Sequence, residues 1–199
     1  TIASVSRHLV RKPVRNTQVV QLNGAGNAHT TGLVYASEII GRFGAAFGAT
    51  VQQFPVPAFF DDPATKEALW RERSTARVLA VQRRMDVAVF GIGSPSADVP
   101  SHVYAGGYLD RSDYDDLARS RVVGDIATIF FRADGSHDAI PLNDRSSGPG
   151  FDLLMRAPRR IAVVSGQAKL PALRGAVATG VITDLVVDEV TAGQLAATD

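Results

Sequence analysis

Residues 17–32 read TQVVQLNGAGNAHTTG. Thr17 to Leu22 is a short run of β-prone and apolar residues, which predicts a buried strand. Asn23-Gly24-Ala25-Gly26-Asn27 stops it. From Gly32 to Phe47 the apolar residues return with a helical period, at Leu33, Ala36, Ile39, Ile40, Phe43 and Phe47. Strand, glycine-rich loop and helix in that order open a unit of an α/β domain.

The pattern repeats outward from this stretch. Thr50–Phe54 predicts a second strand, closed by Pro55 and Pro57. Asp62-Pro63 supplies an N-cap and a first-turn proline for a helix running to about Arg84. Asp86–Phe90 predicts a third strand, ending in Gly91-Ile92-Gly93. Residues 94–109 read as a loop and 110–120 as a short helix. Val122–Arg132 holds Val-Gly-Asp-Ile followed by strand-forming residues. Ala133-Asp134-Gly135-Ser136 has the chemistry of a hairpin turn, with His137–Leu142 as its return strand. Arg159–Ser165 predicts a fourth buried strand, Ala168–Ala178 a helix carrying Lys169, Asp184–Val187 a fifth strand, and Asp188 the cap of a last helix to Ala197. Alternating strands and helices imply an α/β fold: a mainly parallel, Rossmann-like sheet with helices on both faces and a small inserted hairpin region from about 95 to 142. The glycines after the first and third strands and Ser165-Gly166 after the fourth would then share one sheet edge, where ligands bind in such sheets.

Composition removes several classes of function. With 199 residues and 45% apolar content the chain can bury a full core without staples. The absence of cysteine excludes a disulfide scaffold, a cysteine zinc site and a thiol nucleophile. A net charge of +1 gives no bulk electrostatic reason for nucleic-acid binding. No apolar run approaches the ~20 residues that cross a bilayer, so no membrane partner is expected. The chain starts at Thr1, and reads as a piece of a longer cytoplasmic protein. Residues 1–16 are basic and read as a linker, with 17–199 as one domain.

Four places carry candidate chemistry. In Gly24, Ala25, Gly26, Asn27, His29, Thr30 and Thr31, glycines let amides approach an anion, and threonine hydroxyls and a helix start add to its binding. The plain alternative is a glycine turn for tight chain reversal. The loop is not a dinucleotide fingerprint, because His29 replaces the third glycine, and no Gly-Lys-Thr follows for a Walker A loop. Gly91 and Gly93 gain meaning as a second such loop, although Gly-x-Gly after a strand often serves close packing. Lys169 stands one turn into a helix and can reach a phosphate; otherwise it is a solvated surface lysine. Asp125, between Gly124 and an apolar strand, can accept from sugar hydroxyls or simply cap a turn. Asp188 and Glu189 fit a helix N-terminus better than acid–base catalysis. The four histidines have no metal-ligand spacing, so no metal or other cofactor is expected. No Gly-x-Ser-x-Gly elbow anchors a hydrolase triad.

The ordered set of landmarks resembles the effector-binding domain of the SorC/DeoR-type bacterial transcription regulators. These landmarks are LNGAGN at 22–27, FPVPA at 54–58, GIG at 91–93, VGDI at 123–126, FRADG at 131–135, VSGQAK at 164–169 and TDLVVDEVTA at 183–192. The resemblance implies a fold similar to the phosphosugar isomerases and CoA-transferases. It also implies a phosphorylated sugar or polyol as effector, and a homo-oligomer (dimer or tetramer) that binds DNA only through an N-terminal helix-turn-helix absent from this sequence. The family's phosphate loop would fall on Gly24 to Thr31, its sugar-contacting acid on Asp125 and its phosphate-contacting lysine on Lys169. Gly166-Gln167, where the family often has Gly-Gly, and Asn23 and His29 in the first loop depart from the pattern. A sensor without catalytic residues is the expectation; a phosphosugar isomerase or deaminase on the same fold is the alternative.

Overall fold

The computed structural model describes residues 2–95 and 102–197. It begins with helix α1 (Ile2–Arg7), followed by β1 (Gln18–Val20), α2 (Leu33–Phe47) and β2 (Thr50–Gln52). β1 and β2 pair in parallel and form a two-stranded sheet of their own. Residues expected as a linker are tied down: α1 packs on α2, and the amides of Lys12 and Val14 donate to Ala46 and Phe47.

The expected long helix is two. α3 (Pro63–Arg71) starts on Asp62, whose carboxylate accepts from the Ala64 and Thr65 amides, and α4 (Arg73–Gln82) follows after a break at Glu72, whose backbone is extended. Trp70 lies against Phe54 and Phe60.

The remaining elements are β3 (Val87–Gly93), α5 (His102–Ala105), α6 (Arg111–Arg119), β4 (Val122–Ile126), β5 (Ile129–Arg132), α7 (Pro141–Arg145), α8 (Phe151–Leu154), β6 (Arg159–Val164), α9 (Leu170–Ala178), β7 (Asp184–Val187) and α10 (Glu189–Ala196). A five-stranded sheet has the order β5-β4-β3-β6-β7. β3, β6 and β7 are parallel, while β4 runs against β3 and β5 against β4. The sheet is thus α/β with its parallel strands flanked by helices, as the alternation implies. The expected loop at 94–109 holds α5, and its residues 96–101 lie outside the described residues.

The hairpin differs from the expected one. β4 and β5 turn on Ala127 and Thr128, whose φ values of 48° and 69° suit a two-residue hairpin. Ala133–Ser136 instead closes the end of β5, with the Gly135 amide on the Arg132 carbonyl. His137–Leu142 makes no return strand: Pro141 opens α7, and the His137 ring lies 4.6 Å from that of Phe151.

Strand alternation divides the sheet. Phe90, Ile92, Ala162 and Val164 face a core with Ile126, Phe131, Phe151, Leu154 and Leu173. Each large side chain buried there contributes about 1.5–3 kcal/mol. α9 approaches β4 closely because Gly124 and Gly175 carry no β-carbon; one on Gly124 would sit 2.8 Å from Ala172 Cβ. Val89, Gly91 and Gly93 face the opposite side, where Ile2 of α1 lies over Gly91.

Candidate functional site

Asp125 pairs with Gly93 across β3 and β4, and Ile126 pairs with Ile92. Since Ile126 enters the core, Asp125 points to the other face of the sheet. It is 4% exposed. Its Oδ2 accepts from the Thr128 amide at 3.2 Å, which helps hold the hairpin turn. Its Oδ1 has no hydrogen-bond partner among the described residues, and neither does the equally buried hydroxyl of Tyr104. The two groups lie against each other, and the Tyr104 hydroxyl favours the ionised form of the Asp125 carboxyl. Burial pushes the Asp125 carboxyl up to about 6, against the Thr128 amide, the Tyr104 hydroxyl and the Lys169 charge, which favour ionisation. Burial first, then the Asp125 charge, raises the Tyr104 phenol well above its usual value.

Lys169 enters from β6's carboxyl end, in a 3-10 turn at Gln167–Lys169. Its half-buried Nζ donates to the Ile92 carbonyl at 3.0 Å. Burial lowers its pKa and the nearby Asp125 opposes that shift. Gly166 precedes the turn with φ of 103°, and its amide donates to Asp188 Oδ2. Asp188 caps α10 through the Thr191 amide, and these amide bonds hold its carboxyl far below the usual range.

The first glycine loop is largely bonded to itself. Asn27 Oδ1 accepts from the His29 and Thr30 amides, and the Asn27 amide donates to Thr30 O. The Gly26 amide donates to Val56 O, the Gly24 amide to Ser147 Oγ and the Gly32 amide to Thr30 Oγ1. These bonds leave out the amides of Ala25, Ala28 and Thr31. Gly24 also allows close approach to the proline loop, since a β-carbon there would lie 2.2 Å from Val56 O. The chain-packing role and the donor role therefore coexist in one loop.

The structure sorts the expected residues into two groups. Gly26, Asn27, His29, Thr30 and Thr31 line an open cleft of about 1050 Å³, whose far wall carries Asp62, Asp110 and the ion pair of Asp113 with Arg145. Gly93, Asp125 and Lys169 form a buried cluster at the end of β3 that does not line this cleft. Gly91 belongs to neither. β3 continues through it, paired with Val163, so it lies beneath α1 and not in a loop at the sheet edge. Gly24 and Ala25 lie outside the cleft, and the loop follows a strand of the smaller sheet, so the glycine-rich ends do not share one sheet.

Residues that sequence reasoning missed connect the two groups. Ser146 Oγ lies 2.9 Å from Thr128 Oγ1, beside Asp125, and its carbonyl accepts from Lys66 Nζ. Ser147 Oγ accepts from the Gly24 amide and donates to Ala58 O. Beyond Tyr104, Gly106 O accepts from Asn27 Nδ2, and the Tyr108 hydroxyl donates to Ala25 O. The run Ser146-Ser147-Gly148-Pro149-Gly150 was a readable loop signal for the first bridge. Nothing local marked Tyr104 or Tyr108. Among the described residues, no group of three or more metal-ligating side chains is placed to hold an ion, and no helix is long and apolar enough to cross a membrane.

This architecture matches known proteins. Residues 1–197 match the family described as "Putative sugar-binding domain". The deoxyribonucleoside regulator of Bacillus subtilis is 28% identical over 195 residues, 98% of this chain and 61% of that protein. The transcriptional regulator LsrR of Klebsiella pneumoniae is 28% identical over 179 residues, 89% of this chain and 53% of that protein. This chain thus spans less than two thirds of either relative. A domain of a possible sugar-binding transcriptional regulator from Arthrobacter aurescens superposes with a TM-score of 0.91 at 54% identity, covering 98% of this chain and 75% of that one. The full-length sorbitol operon regulator SorC from Klebsiella pneumoniae shares the fold, with a TM-score of 0.87 at 21% identity over 98% of this chain and 63% of that one. The chain belongs to the sugar-binding domain family of the SorC- and DeoR-type transcriptional regulators.

Proposed function

We propose that this domain is a cytoplasmic ligand sensor that binds a phosphorylated sugar or polyol without converting it. The observation that carries the reading is a half-buried Lys169 ammonium, bonded to the Ile92 carbonyl, close enough to the buried Asp125 carboxyl to feel its charge. A cation and a hydroxyl acceptor side by side suit a ligand with both an anionic and a polyhydroxyl end. Thr31, with the amides of Ala25, Ala28 and Thr31, supplies further donors in the first loop. Ligand binding controls how copies of the protein associate, and thereby how a DNA-binding segment outside these 199 residues grips its operator. Only a difference in ligand affinity between two arrangements can do this.

A raised carboxyl beside a lysine also favours a second reading, a phosphosugar isomerase or deaminase in which Asp125 moves a proton. One experiment separates them: a thermal-shift screen of phosphorylated and free sugars and polyols, with product analysis on each hit. A stabilising sugar phosphate recovered unchanged supports the sensor; turnover establishes the enzyme. Lys169→Met should weaken the hit by about 10-fold or more, the scale of a hydrogen bond to a charged group. Unchanged affinity would remove Lys169 from the site.

A further inference from the structure

We propose that the cleft between α1 and α2, with Arg7, Arg11 and Arg42 on its walls, is a docking site of this domain for the phosphate backbone of duplex DNA. The choice of DNA among polyanions rests on the regulatory reading above; the cleft itself is independent of the sugar ligand. The chain as a whole is nearly neutral, but its charge is unevenly placed. Residues 1–37 contain no Asp or Glu and hold Arg7, Arg11, Lys12 and Arg15. The fold brings Arg7 and Arg11 together with Arg42 of α2 around a shallow cleft of about 420 Å³, whose lining includes Ser6, Leu9 and Ala45. Glu38 pairs with Arg42. The guanidinium groups of Arg7 and Arg11 are exposed and take part in no hydrogen bond or ion pair among the described residues.

The walls of the cleft are built, not a loose arm. Ile2 of α1 lies over Gly91, and the amides of Lys12 and Val14 donate to the Ala46 and Phe47 carbonyls at 2.7 and 2.8 Å. Ser6 is 3% exposed; its hydroxyl donates to Ala3 O and accepts from Arg42 Nη1 at 3.4 Å. Arg42 is therefore steadied from two sides, by Ser6 and by Glu38, while Arg7 and Arg11 keep their donors for a partner. A guanidinium presents a planar fork of N–H groups that matches a phosphate two bonds at a time. Several such forks on one face suit a polymer that carries phosphates at regular intervals, since each neutralised phosphate releases counterions. The plain alternative is that Arg7 and Arg11 only answer the carbonyl ends of α1 and α2. That alternative predicts a stability loss on substitution and no effect on DNA.

The test is fluorescence anisotropy of a labelled duplex of arbitrary sequence, titrated with these 199 residues in the absence of any sugar phosphate. The wild type should bind with Kd on the order of 10⁻⁵ M at about 50 mM salt, and log K should fall with log salt with a slope of about −3, as expected for three phosphates neutralised. Arg7→Gln with Arg11→Gln should weaken binding about 10-fold or more and make the slope shallower by about two. Its melting point should match that of the wild type, because both side chains are exposed. The control is Arg83→Gln with Arg84→Gln, which removes two exposed arginines away from the cleft and should leave binding within about twofold. No binding by the wild type at low salt would overturn the proposal. Equal loss in the two double variants would do the same, by showing diffuse attraction and no site. A lowered melting point with unchanged DNA binding would assign the arginines to the helix ends. Polyglutamate of equal charge binding as tightly as the duplex would overturn DNA as the partner and favour an acidic peptide. Because no sugar phosphate is present, failure here is read separately from failure of the sensor reading, which the ligand screen decides.

Discussion

The Oδ1 oxygen of Asp125 fills the space that a β-carbon on Gly93 would occupy, 1.7 Å from its ideal position. The glycine at the end of β3 exists for the carboxylate above it. Gly93→Ala should therefore push Asp125 off the sheet and abolish the proposed sugar-phosphate binding, with a loss of stability of about 1–3 kcal/mol from overpacking. Thermal melts and calorimetry on the variant check both parts. A variant that folds and binds like the wild type would show that the carboxylate can move at no cost.

Asp125 also sets a pH dependence. Its folded pKa of about 6 lies above the ordinary aspartate value of 3.8, so the folded state binds more protons than the unfolded state between these values. Stability must then fall as pH rises from about 4 to 6, by about 3 kcal/mol for a shift of about two units. Asp188 and Asp184, with lowered pKa values, act in the opposite direction at lower pH, so the comparison must be made against Asp125→Asn. Urea unfolding of both proteins at pH 4, 5, 6 and 7 should show the difference in stability growing in favour of the variant. A difference that stays constant with pH would place the Asp125 carboxyl at an ordinary pKa.

Ser147 joins the first loop to the rest of the domain. Its hydroxyl accepts from the buried Gly24 amide and donates to Ala58 O, both at 2.9 Å. Ser147→Ala leaves the buried Gly24 amide unpartnered, while Ala58 O keeps the Ser147 amide, and should cost about 1–3 kcal/mol. Hydrogen exchange should report the change most strongly at the Gly24 and Gly26 amides. Faster exchange there, with little change in the core strands, is the expected result; uniform protection across the domain would assign the loop another anchor.

Much of the fold is visible in the sequence because it depends on local patterns. The strand from Asp86 and the Asp62-Pro63 helix start follow from periodicity and caps, and so does most of the helix expected over Ala168–Ala178, which begins at Leu170 after a 3-10 turn that holds Lys169. The hairpin went astray because Asp134-Gly135 is a familiar turn signal, whereas the true turn uses Ala127 and Thr128 at positive φ. Nothing local announces that conformation; the Asp125 side chain and the sheet impose it. The break at Glu72 is likewise unmarked by glycine or proline. Within the candidate site, Asp125 and Lys169 stand out by their neighbours in sequence. Tyr104, Ser146 and Ser147 become relevant only through contacts across the fold, as with the Gly24 amide and Ser147, 123 residues apart.

The two groups of polar residues sit on different sheets, the loop at 24–32 on the pair β1–β2 and Asp125 with Lys169 on the five-stranded sheet. Polar ties that cross between them include Ser147 on Gly24, Tyr108 on Ala25 and Asn27 on Gly106. A molecule long enough to touch both groups acts as a removable cross-link between two layers. Its presence would be felt as stiffness along their seam as much as by a new contact at either end, so the seam becomes the natural place from which occupancy is read at the surface.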